Sequence, residues 1–157
     1  DLPQVDSIEL YNTTGAAIDI GGWYLSDSWG LDTNPDTGDY QKFRIPDGTV
    51  IPAGEYRVFG EDDFNASQGA DPKDFALSSS RGDDVWLMQA DAAGNLTRFA
   101  DHVEFGAAIN GESFGRWPNG SGVLYPMTSV TLGVENSLRQ GRDLVGDGRV
   151  VIGGSSR

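Results

Sequence analysis

Three stretches of the sequence decide the fold class: SIELYN at residues 7–12, GGWYLSD at residues 21–27 and KFRIPDGTVIPAGEYRVFG at residues 42–60. In the first of them, Ile8 and Leu10 alternate with Glu9 and Tyr11. Successive side chains of a β-strand point to opposite faces of a sheet, so this pattern predicts a strand with one buried face. The same two-residue period recurs in short runs along the chain. Many short strands separated by turns predict an all-β sandwich or barrel.

The apolar phase of each run defines a predicted core. Its members are Ile8, Leu10, Ile18, Ile20, Trp23, Leu25, Phe43, Ile45, Leu77, Val85, Leu87, Val103 and Phe105. Trp86 falls on the opposite phase from Val85 and Leu87, so the alternation leaves its burial open. Turn residues separate the runs, and Arg81-Gly82-Asp83 stands between two of them, where we predict a hairpin tip.

These stretches resemble the lamin-tail domain of bacterial proteins, together with FALSSSRGDDVWLMQAD at residues 75–91, GESFGRWPNG at residues 111–120 and TLGVEN at residues 131–136. The resemblance covers roughly residues 5–136 and implies an immunoglobulin-like β-sandwich of about seven to nine strands. We therefore expect a lamin-tail-like sandwich over residues 1–136 and a C-terminal extension over residues 137–157, with room for one added strand. An insert around residues 29–40 departs from the compact family pattern.

The resemblance also carries an expectation about function. It implies a secreted or surface module in bacteria, often appended to hydrolases or other extracellular domains, and it implies no catalytic residues. The related domain of animal lamins is an interaction module. The residues themselves point the same way, because no nucleophile elbow, phosphate loop or dinucleotide fingerprint is present. His102 is the only histidine, which excludes a histidine-based zinc site. We therefore predict that the chain is not an enzyme.

The charge balance restricts the partners. The chain has 24 Asp and Glu against 11 Lys and Arg, a net charge of −13 at pH 7. This charge repels nucleic acid and anionic membranes, and no apolar stretch is long enough to insert into a bilayer. The absence of cysteine excludes disulfides and thiolate metal sites. Because the sequence begins at Asp1 without Met, we expect a processed product or a fragment of a larger parent chain with other domains.

An acidic loop at residues 32–39 is the best metal candidate of the sequence. Asp32, Asn34, Asp36 and Asp39 offer oxygen ligands of the kind that Ca²⁺ prefers, and Gly38 permits a tight turn. The glycine comes two residues after the third ligand, and no glutamate occupies the twelfth position, so the loop is not an EF-hand. A plain turn rich in Asp and Asn is the alternative interpretation.

Two tryptophans are candidates for ligand binding. Trp29 lies in the acidic insert, and Trp117 precedes Pro118 in a predicted turn. Exposed aromatic rings beside carboxylates suit sugar binding, because sugar rings stack on aromatic faces; in the alternative, each indole only covers a loop. We predict a non-catalytic interaction or adhesion module of a secreted or surface bacterial protein, with a protein or polysaccharide surface as its partner. The alternative is a carbohydrate-binding module with calcium-ordered loops.

Overall fold

A computed structural model describes residues 5–28, 39–109 and 111–136 of the protein. Its elements are β1 (Ser7–Tyr11), β2 (Ile18–Asp19), β3 (Tyr24–Ser26), β4 (Phe43–Arg44), β5 (Val50–Ile51), β6 (Tyr56–Gly60), α1 (Glu61–Phe64), β7 (Asp83–Ala90), β8 (Leu96–Phe105), β9 (Phe114–Trp117) and β10 (Val123–Pro126). Ten of these eleven elements are strands, and the predicted immunoglobulin-like sandwich is confirmed. Three of the ten strands contain only two residues, which is why the count exceeds the predicted range.

The strands form two facing layers. One is a four-stranded antiparallel sheet in the order β4-β3-β7-β8, and the other elements form the pairs β1-β6, β2-β5 and β9-β10. Phe43 of β4 and Phe59 of β6 bring their rings to 5.5 Å between centroids, so the four-stranded sheet packs against the β1-β6 pair. No helix in the described residues has the length and apolar character needed to cross a membrane.

The core is the one that the alternation predicts. Five of the predicted residues are buried in a single cluster, and the other eight, including Trp23, are partly buried against it. The cluster also contains Ile51, Phe59, Phe64 and Phe75, which the prediction did not include. Phe64 at the end of α1 stacks on Phe75 at 4.7 Å, so a four-residue helix adds an aromatic side chain to a strand-built core.

The predicted hairpin tip at Arg81-Gly82-Asp83 is wrong. The residues before it form no strand, and the amide of Gly82 donates to the carbonyl of Ser78 at 3.0 Å in a local turn. Gly82 instead lies against the end of β8, where an added Cβ would meet the carbonyl oxygen of Phe105 at 2.2 Å. The alternation cannot show this contact, because it joins segments that are distant in the sequence.

The β9-β10 hairpin is held against the β1-β6 pair by a chain of polar contacts. The Asn119 amide donates to the hydroxyl of Tyr56 at 2.9 Å, and the backbone N–H of Asn136 donates to Asn119 Oδ1 at 2.8 Å. The Asn136 side chain also donates to the carbonyl of Arg116 at 3.1 Å. These contacts hold Asn119 and Asn136 against the sandwich, and residues 137–157 lie outside the described part of the chain.

Candidate functional site

Four aromatic rings form a cluster on the outer face of the four-stranded sheet, away from the core. Trp86 lies at its centre and stacks on His102, with ring centroids 3.7 Å apart and planes inclined by 21°. Tyr40 contacts Trp86 edge-on at 5.3 Å, and Phe99 contacts both Trp86 and Tyr40, at 5.8 and 5.4 Å. We call Tyr40, Trp86, Phe99 and His102 the outer cluster.

The register of β7 and β8 brings three of these rings together. Trp86 pairs with His102, one position from the core pair Val85 and Val103. Strict alternation from Val103 would put Phe99 on the core face, but the register shifts between Leu87 and Met88. The extra residue lies in β8 and forms a β-bulge, which reverses the in-out phase of β8 on the Phe99 side of the bulge. The bulge therefore places Phe99 beside Trp86.

The segment at residues 39–42 supplies the fourth ring. Ser26 Oγ donates to the carbonyl oxygen of Asp39, and Gln41 Nε2 donates to the carbonyl of Gly94 in the β7-β8 turn at 2.8 Å. Lys42 pairs with Asp27 at 2.6 Å. These contacts tie the end of the insert to the outer face and hold Tyr40 against Trp86.

The outer cluster is only partly buried, and two of its ring nitrogens lack hydrogen-bond partners among the described residues. Phe99 is 57% exposed, whereas Trp86 and His102 are half-buried. Among the described residues, neither Trp86 Nε1 nor His102 Nε2 has a hydrogen-bond partner, although both atoms are buried. An unpaired buried N–H group costs about 1–3 kcal/mol of stability. The exposed ring of Phe99 and the two unpaired nitrogens leave surface for a partner, which favours a binding role.

Acidic side chains surround the cluster. Asp84 of β7 lies directly opposite Glu104 of β8, and Asp84 Oδ1 is 3.5 Å from His102 Nε2, an ion-pair distance when the imidazole is protonated. Asp101, at the bulge, pairs with Arg116 of β9 at 2.7 Å. Arg116 also donates to the carbonyl of His102 at 3.3 Å, which fixes the edge of β8 beside the cluster.

Asp39 is the one predicted calcium ligand that lies in the described residues. Asp32, Asn34 and Asp36 lie outside the described residues. The Asp39 carboxylate forms an ion pair with Lys73 and accepts a hydrogen bond from the backbone N–H of Gln41 at 2.7 Å. The described residues contain no group of three or more His, Asp or Glu side chains arranged to hold a metal ion. The calcium site stays a prediction, to be tested by thermal melting in calcium and in chelator, with Asp36→Ala as the control.

The predicted pair of sugar-binding tryptophans is likewise only partly described. Trp29 lies outside the described residues. Trp117 ends β9, is half-buried, pairs with Val123 of β10 and precedes Pro118 through a cis peptide bond. Val123 is 60% exposed, so this end of the hairpin has an apolar surface. The pairing of Trp29 with Trp117 stays a prediction.

Comparison with known proteins identifies the family. The family model of the Lamin Tail Domain matches residues 2–107. The chain belongs to the lamin tail domain family. This match covers about two thirds of the sequence and includes both β7 and β8, which carry most of the outer cluster. No curated protein and no solved structure matches the chain. Lamin tail domains are immunoglobulin-like and generally non-catalytic, which is consistent with an interaction module.

The sequence contained part of the signal for the outer cluster. Trp86 and His102 stand on the outward phases of their strands, so alternation places both on the outer face. Their pairing was not visible, because two register shifts lie between the β7-β8 turn and Trp86. Tyr40 and Phe99 had no such signal. Tyr40 depends on a loop that crosses the sheet, and Phe99 depends on a bulge that alternation does not reveal.

Proposed function

We propose that this lamin tail domain is a non-catalytic interaction module of a secreted or cell-surface bacterial protein, and that the outer face of β7 and β8 is its contact surface. One observation carries the proposal: a half-exposed aromatic cluster on the outer sheet face, in which two buried ring nitrogens have no hydrogen-bond partner among the described residues. Aromatic side chains are enriched at the centres of protein interfaces, where they bury large areas with few rotatable bonds.

Site-specific photo-crosslinking tests the proposal. A photoreactive phenylalanine analogue replaces Phe99 in one variant and Val50 in the other, since Val50 is 47% exposed on β5, in the short pair away from β7 and β8. Each variant is incubated with the surface fraction of the producing cells. We expect discrete protein adducts from position 99 and none from position 50. An excess of the unlabelled domain should abolish the adducts from position 99.

Equal adducts from both positions would refute the choice of face. The polysaccharide alternative predicts a different outcome, because sugar binding retards the domain in affinity electrophoresis without a protein adduct. In that case Phe99→Ala, Trp117→Ala and Trp29→Ala show which aromatic surface holds the sugar. Retardation lost only in the Trp117 and Trp29 variants would move the binding surface to the sites predicted from the sequence.

A further inference from the structure

Building on the contact surface proposed above, we infer that the outer cluster and the carboxylates beside it bind an arginine-bearing segment of a partner protein. The aromatic rings take the apolar stem and the guanidinium plane, and the carboxylates at the end of the β7-β8 ladder take the charge.

The carboxylates are arranged unfavourably for the domain alone. Asp84 and Glu104 occupy directly opposite positions of β7 and β8, on the same face as Trp86 and His102. Like charges at opposite positions of an antiparallel pair destabilise the sheet. Glu104 is exposed and has no ion pair among the described residues, and Asp84 Oδ1 lies 3.5 Å from the imidazole Nε2 of His102. A cation bound between the two carboxylates relieves this repulsion.

A groove of about 230 Å³ adjoins the pair. It is lined by Arg81, Gly82, Asp83, Asp84, Glu104 and Phe105. Three carboxylates outnumber one guanidinium there, so an anionic ligand is repelled. Asp83 is already engaged, because its carboxylate accepts the backbone N–H groups of Ser78 and Asp84 at 2.8 and 2.9 Å. The volume is below the range of about 300–1,000 Å³ for whole small-molecule ligands, which suits the entry of a single side chain.

The neighbouring rings favour arginine over a compact cation. The guanidinium is planar, stacks on aromatic faces and donates to carboxylates through paired N–H groups. Phe99 is 57% exposed and His102 is about one-third exposed, so both present surface to an incoming side chain. Lysine satisfies the charge but not the stacking, and we expect it to bind more weakly.

The overall negative charge attracts basic partners to every part of the surface. The test must therefore distinguish binding at the outer cluster from this general attraction. The net charge of −13 gives long-range attraction without selectivity. The helix α1 provides the comparison, since Glu61, Asp62 and Asp63 lie in its first turn and Asp62 is exposed. Asp62→Asn removes the same charge as Asp84→Asn, on a helix whose aromatic residue, Phe64, is buried.

The experiment is an NMR titration of the labelled domain with a short blocked peptide that carries arginines around a leucine. Matched peptides have lysine or glutamate in place of arginine. We expect the largest shifts at the amides of Asp84, Trp86, His102 and Glu104. Each of Asp84→Asn and Glu104→Gln should weaken binding about two- to fivefold, as is typical of exposed ion pairs, whereas Asp62→Asn should leave it unchanged. Arg81→Ala removes the competing cation and should tighten binding. Retained amide dispersion confirms that each variant is folded.

Two results would overturn the inference. One is a set of amide shifts spread over α1 and the other acidic loops, together with an equal loss of peptide affinity in Asp62→Asn and Asp84→Asn. That result would indicate non-selective attraction. The other is no response to the arginine peptide while photo-crosslinking at position 99 still captures a protein, which would keep the interaction module and reject a basic partner. Failure of both experiments would reject the contact surface itself. A shift caused by a neutral oligosaccharide and not by the peptide would favour polysaccharide binding.

Discussion

The substitution Gly82→Ala tests the contact that seats the segment before β7 against the end of β8. Gly82 has φ = +84°, and an added Cβ would lie 2.2 Å from the carbonyl oxygen of Phe105 and 2.8 Å from the backbone of Gly106. These are backbone atoms, so no side-chain rotation relieves the overlap. Gly54→Ala is the matched control, because Gly54 has φ = +72° and open space around the Cβ position.

The two variants separate backbone strain from steric overlap. A left-handed conformation costs an alanine about 1–2 kcal/mol, partly offset by about 0.4–1 kcal/mol from the reduced entropy of the unfolded chain. Gly54→Ala should therefore lose about 0.5–1 kcal/mol. Overpacking adds about 1–3 kcal/mol at Gly82, for a total of about 2–4 kcal/mol.

Thermal and urea unfolding measure this difference. A domain of this size loses about 2–4 °C of melting temperature per kcal/mol, so we expect a decrease of about 1–4 °C for Gly54→Ala and about 4–16 °C for Gly82→Ala. Equal decreases in the two variants would show that Gly82 is required only for its φ angle and would refute the close approach of the two segments.

Three further predictions concern the core and the acidic groups. Phe59 is 1% exposed, so Phe59→Ala should lower the free energy of unfolding by about 3–5 kcal/mol, and an unchanged urea midpoint would place this ring outside the core. Asn12 is 4% exposed, and the two N–H groups of its amide are shared among three backbone carbonyls. Asn12→Ala should therefore cost about 1–3 kcal/mol by calorimetry, whereas a neutral result would mean that water replaces the amide. Burial raises the pKa of the carboxyls of Asp6 and Glu9 in the folded chain. Between their ordinary and raised pKa values the folded chain binds more protons than the unfolded chain, so the free energy of unfolding should increase as the pH falls through this window and gain nothing further below it. Urea titrations across that range should show a smaller increase for Asp6→Asn, and the same slope in both proteins would contradict this origin.

The core was determined by the sequence. Each of its predicted members occupies one phase of a two-residue period, and burial of that phase is favourable wherever the strand pairs. The family resemblance relies on the same local signals, because strands and turns in a fixed order are visible without knowledge of their partners. Phe59 and Phe64 were missed for a local reason: the phase of the β6 run is ambiguous, and a four-residue helix is too short to show a period.

The contact surface was decided by the tertiary structure. The bulge opposite Leu87 and Met88 reverses the phase of β8, and this reversal brings Phe99 to Trp86. Tyr40 reaches the same rings because its segment is bonded to the β7-β8 turn through Gln41. Bulges and loop crossings are set by the balance of pairing and packing between distant segments, and that balance has no local periodicity in the sequence.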